Sequence, residues 1–163
     1  MGEDKSDLVR VNLDLASVNR HVGQNIARSQ FFLKSVMTLE LPNATAKLRI
    51  SNHTPVIYIR KSLEEDEEQT VANRLQATYV LLHAHVVDGR RVLLGFSASP
   101  FFGKATRQKP DEIDVSIEEV AGGQWLKMTP KEPLPDGEYG VNRMPEDKGL
   151  FENFVYDFGV EPR

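Results

Sequence analysis

Apolar positions along this chain recur at every second residue, the spacing that sends side chains to one face of a strand. Leu39 and Leu41, then Leu48 and Ile50, flank Pro42-Asn43 and predict short strands near 36–41 and 46–51. Pro55 opens Val56-Ile57-Tyr58-Ile59, a β-branched and aromatic run suited to a buried strand. The longest run, Ala77 to Val87, meets Asp88-Gly89 and returns as Arg90 to Phe96. Asp-Gly between two apolar runs predicts a tight hairpin. Ile113, Val115 and Ile117 alternate with Asp114, Ser116 and Glu118, and after Gly122-Gly123 the chain returns as Gln124 to Thr129. Pro130, Pro133 and Pro135 make a stiff connection, and the last strands read as 138–141 and 154–160.

Eight or so closely spaced strands predict an all-β fold, a two-sheet β-sandwich with Greek-key connections. One short surface helix is expected near 63–73, where Ser62 and Glu65 have the spacing of a capping box and further acids follow. Residues 1–35 form an N-terminal segment of mixed character, packed on or extending the domain. Within it Val18, Val22 and Ile26 have helical spacing, while Gly23 and Phe31-Phe32-Leu33 oppose a helix across 16–34. Residues 36–163 are the sandwich domain.

With 163 residues the chain is long enough to bury a core without disulfides. It holds no cysteine, which removes disulfides, thiolate metal sites and cysteine nucleophiles. Twenty Lys and Arg against 24 Asp and Glu give a net charge of −4, which argues against a nucleic-acid partner. Residues 1–82 balance 10 basic with 10 acidic side chains and 83–163 set 10 against 14, the mild excess of a solvated face. No run approaches the roughly 18 apolar residues of a membrane helix. The polar start, Met1 to Asp7, does not read as a signal peptide and equally fits what remains after one is cut away, so export is neither shown nor excluded.

Among candidate chemical groups, His83-Ala84-His85 stands out, because residues i and i+2 of a strand share a face and both imidazoles could hold one metal ion. A site needs further ligands, and neither His21 nor His53 carries a motif tying it to this strand. The plainer reading is two polar residues on the open face of a half-buried strand. Gly95-Phe96-Ser97-Ala98-Ser99 comes near a nucleophile elbow, but Pro100-Phe101-Phe102-Gly103 is a turn where a helix is required. The acids 64–68 lack the glycine turn of a calcium loop. Arg90-Arg91 and the loop Lys104 to Lys109 form modest basic patches. Phe101-Phe102 suits an exposed loop tip or, more often, a plug at the end of a core. No glycine pattern matches a phosphate or dinucleotide loop, so no cofactor is expected. Leu134-Pro135-Asp136-Gly137-Glu138-Tyr139 sets a tyrosine just after a turn, the place of a tyrosine corner that ties ring and hydroxyl to the core.

Ala46 to Asn52, Pro55 to Tyr58, Leu134 to Tyr139 and the closing Tyr156-Asp157-Phe158-Gly159-Val160 resemble a group of uncharacterised bacterial proteins expected to be exported. The resemblance covers about 44–160 and implies an immunoglobulin-like domain of the periplasm or cell envelope, without activity, cofactor or catalytic residues. It departs from that group in lacking the signal peptide, which leaves a cytoplasmic location open. The reading that follows is a non-enzymatic binding or interaction module of the bacterial envelope, with an unknown protein or envelope component as partner. The alternatives are a small metal-dependent β-barrel enzyme using His83 and His85, and a structural domain that pairs, also with copies of itself, through a sheet edge.

Overall fold

The computed structural model describes residues 9–11, 13–19, 21, 35–60, 77–98, 105–107, 111–145 and 154–162. Its architecture is all-β in two sheets. The strands are β1 (Leu13–Leu15), β2 (Ser17–Asn19), β3 (Ser35–Leu41), β4 (Arg49–Ile50), β5 (Ile57–Arg60), β6 (Ala77–Val87) and β7 (Arg90–Ala98). They continue with β8 (Ala105–Arg107), β9 (Glu112–Ile113), β10 (Val115–Val120), β11 (Trp125–Pro130), β12 (Gly137–Pro145) and β13 (Phe154–Val160). The larger sheet has ten strands in the order β1-β13-β12-β6-β7-β3-β2, with β4, β9 and β8 pairing to β13, β6 and β7. The smaller sheet is β10-β11-β5.

The two ends of the larger sheet's path, β1 and β2, are consecutive in the chain and separated by Ala16 alone. One residue spans only about 3.5 Å of extended chain, so the sheet has to curl until its edges adjoin. Opposite Ala16, β6 performs a similar switch. Residues 77–84 pair with β12, whereas His85, Val86 and Val87 pair with β7. The curl encloses Ala16, Leu39, Leu41, Val80, Leu82, Ala84, Leu93, Leu94 and Val155, all buried. A bulge at Leu93, which has no partner between the pairs Leu39–Leu94 and Glu40–Val92, lets two successive leucines of β7 be buried. Leu93 reaches across to Gly140, where an added Cβ would stand 3.1 Å from its methyl carbon and 2.7 Å from Val155.

Alternation sends the intervening residues of the same strands outward. Leu81, Tyr139, Val141, Phe158 and Val160 meet Ile59 and Met128 of the smaller sheet, together with Leu134, in a second buried cluster. Each fully buried leucine or valine contributes roughly 1.5–3 kcal/mol relative to an exposed one, so the two clusters dominate the stability. Tyr139 is 1% exposed and its hydroxyl donates to the Pro135 carbonyl at 2.8 Å, which completes the expected tyrosine corner. The ring stacks on Phe158 with centroids 5.7 Å apart.

Both expected hairpins form. Asp88 and Gly89 take φ of 50° and 74°, the left-handed pair that a two-residue turn demands. Ala121, Gly122 and Gly123 turn β10 into β11 with φ of 52°, 68° and 86°. Other elements differ from expectation. Ala46–Leu48 is not strand, because the Ala46 N–H is taken by the Glu138 carboxylate at 2.7 Å. β12 extends to Pro145, held by β6 along eight register pairs. Within the N-terminal segment, β1 and β2 join the sheet through β13 and β3. The helix expected at 63–73 and most of 16–34 lie outside the described residues. Among the described residues no helix is long and apolar enough to cross a membrane.

Candidate functional site

The smaller sheet does not cover the whole outer face of the larger one. On β6, Leu81 lies under it, and the next two outward positions are His83 and His85. Their imidazoles therefore share a face, with centroids 5.1 Å apart in an edge-to-face arrangement. A third group joins them that sequence reading missed. Asp111 precedes β9, which pairs Ile113 and Glu112 with Leu81 and Leu82. The His83 N–H donates to the Asp111 carbonyl at 2.8 Å, which carries the ladder one step further and fixes the carboxylate beside the histidines. Asp111 Oδ2 lies 3.0 Å from His83 Nδ1 and 3.2 Å from His85 Nε2.

The His83 ring is held from behind. Tyr139 stands opposite it in the β6–β12 register, with ring centroids 5.1 Å apart. Its Nε2 edge lies over Gly137, where an added Cβ would come within 2.8 Å. Burial pushes the Tyr139 phenol up to about 12, and the negative charges of Asp111 and Asp136 add to the shift. The phenol therefore stays neutral as a structural donor to Pro135. Exposure rises across the cluster, with side chains 29% exposed at His83, 47% at Asp111 and 62% at His85.

Inside the curl lies a second charged cluster, and it corrects the reading of Arg90-Arg91 as a surface patch. Arg91 is 1% exposed and its guanidinium is an ion-pair partner of Asp157. It also donates to the carbonyls of Pro42 and Asn43 at 3.1 and 3.2 Å, and lies 3.7 Å from Glu138. Glu138 in turn pairs with Arg49, which crosses Gly159 to reach it and bonds Glu161 at 2.9 Å. Burial raises the Asp157 carboxyl above its ordinary range, and the hydrogen bond and charge of Arg91 oppose that rise. The Glu138 and Asp157 of the two sequence motifs thus meet at one buried arginine.

The remaining candidates are placed elsewhere. Ser97 lies within β7, paired with Val36 and Thr106, in a ladder and not on a strand-to-helix turn. His53 exchanges bonds with Leu134, Nδ1 donating to its carbonyl at 2.7 Å while the Leu134 N–H donates to the His53 carbonyl. It borders a shallow pocket with Pro133, Asp136 and Pro162. His21 contacts the Thr38 hydroxyl at 2.6 Å beside the buried Glu40. Neither histidine joins His83 and His85. The acids 64–68 and Phe101-Phe102 lie outside the described residues, as do Lys104, Gln108 and Lys109. On the outer face of β1 and β13, Leu13 stands opposite Tyr156 and Leu15 opposite Phe154, and all four are exposed. Compared with protein-family models, curated proteins and solved structures, the chain matches none.

Proposed function

We propose that the protein is a non-enzymatic binding module of the bacterial envelope whose docking surface is the outer face of β1 and β13. One observation carries this reading. Two cross-strand pairs, Leu13–Tyr156 and Leu15–Phe154, set four large apolar side chains side by side at exposures of 47, 40, 64 and 53%. Scattered exposed leucines are ordinary on any surface; two adjoining pairs at the edge of a sheet form a patch that a partner can cover. Because the edges of the larger sheet adjoin at Ala16, a partner would lie on this outer face, its own apolar side chains covering the patch. The envelope assignment rests on the resemblance to exported proteins.

The rival reading, a metal-dependent enzyme, keeps His83 and His85 and gains Asp111. Two of those three groups open to bulk water, whereas catalysis is favoured in a site that excludes it. A photo-crosslinking residue in place of Phe154, expressed in a bacterial host, tests the docking surface. The expected result is a discrete adduct that disappears when Leu15→Asp is added. Adducts of the same pattern from a control probe at Lys131 contradict it.

A further inference from the structure

The outer face carries a second feature that does not depend on the docking surface. We infer that His83, His85 and Asp111 bind one transition-metal ion of the zinc, copper, nickel or cobalt class. Their three donor atoms, one from each residue, lie within 4.8 Å of one another. Two of the separations, 3.0 and 3.2 Å, already approach the roughly 3.3 Å between neighbouring ligands at tetrahedral zinc with bonds near 2.05 Å. An ion can therefore enter with a small outward movement of His85, the most exposed of the three.

The donor set selects the metal. Two imidazoles and one carboxylate suit borderline ions, whereas calcium and magnesium demand oxygen ligands. The framework is prepared for the ion as well. Both histidines come from one strand, Asp111 is fixed by its carbonyl bond to His83, and Tyr139 and Gly137 limit the motion of the His83 ring. Side chains locked by their surroundings in this way are what holds a metal site in its productive geometry. Coordination by Nδ1 leaves the His83 Nε2 proton over Gly137. Three protein ligands leave at least one position open to solvent, where water or a donor from another molecule completes the shell.

Chelator-treated, untagged protein titrated with zinc, read by calorimetry, tests the site, with magnesium as the control. Cobalt absorption then reports coordination. One zinc per chain is expected, with no response to magnesium and intense visible cobalt bands from a four-coordinate site. His85→Ala and Asp111→Asn each lower zinc affinity at least 10-fold, in line with the 10–100-fold typical even of residues that only support a ligand. Gly137→Ala, whose methyl would displace the His83 ring, weakens zinc as well. His85 is exposed, so its replacement leaves folding intact and keeps the test decisive if His83→Ala unfolds the chain. Absence of zinc binding overturns the inference. So does binding that survives His85→Ala unchanged, because His21, His53 or the chain terminus then holds the ion.

Discussion

Glu138 and Tyr139 are neighbours on β12, yet they point into two charged clusters of opposite character. Glu138 faces inward to Arg91, Asp157 and Arg49, where the guanidinium of Arg91 is met by carboxylates and backbone carbonyls. Tyr139 faces outward to His83, beside two imidazoles that converge on a single carboxylate oxygen in contact with water. The inner cluster is closed around Arg91, Asp157 and Glu138, all buried, with Arg49 reaching from it to the exposed Glu161. Its members satisfy one another and tie the two halves of the curled sheet, β7 to β13, at a single point. The outer cluster is open, with donors gathered on one side and solvent on the other. Charge in a protein interior has to be matched at once or it is costly, so the inner cluster serves the fold. Charge at a rim can wait for a ligand.

The largest effect is expected inside. Arg91→Ala strands the buried Asp157, while Glu138 keeps Arg49, and should cost about 3–5 kcal/mol of unfolding free energy in urea titrations. Arg91→Met combined with Asp157→Leu should cost much less, since a pair replaced by apolar groups leaves no unmatched charge. Outside, the effect should depend on the ligand. Zinc at 100 times its dissociation constant should raise stability by about 2.7 kcal/mol, and the 10-fold or greater loss of affinity in His85→Ala should cut that gain to about 1.4 kcal/mol or less at the same zinc concentration. Without metal, the same substitution should lie within about 0.5 kcal/mol of wild type, as other exposed replacements do.

Tyr139→Phe sharpens the boundary between the clusters. It removes the hydroxyl bond to Pro135 and should cost about 1 kcal/mol at neutral pH. The pH dependence follows from the raised phenol. The native state keeps its proton up to about 12 whereas the unfolded chain releases it near 10, so this contribution is complete below pH 10 and is lost as pH rises towards 12. Melting curves across that range should fall for wild type and flatten for Tyr139→Phe. A small effect is also expected at the exposed pair Lys131–Asp114, at 3.0 Å. Lys131→Ala should change stability by less than about 1 kcal/mol, and salt should erase the difference.

Much of the fold was legible because it is local. Alternation marked the long strands, Asp88-Gly89 and Gly122-Gly123 marked the hairpins, and the turn before Tyr139 marked its corner. The curl of the sheet was not legible, because it depends on Ala16 joining β1 to β2, and the pairing of β1 with β13 spans nearly the whole chain. Arg91 looked like surface because it follows Arg90 at a turn. Its burial comes from Asp157, 66 residues away. The site was half legible. The spacing of His83 and His85 placed two imidazoles on one face, while Asp111 reaches them across 28 residues through the β6–β9 pairing, which no local pattern announces. A two-residue strand such as β9 leaves almost no alternation to read.

The division between a closed inner cluster and an open outer one is tested most directly by following every backbone amide during a zinc titration by NMR. Saturable shifts confined to His83, His85, Asp111 and their neighbours Gly137 and Tyr139, with Arg91, Asp157 and Arg49 unmoved, are the expected result. Shifts spread over the Arg91 cluster, or none at the histidines, would contradict it.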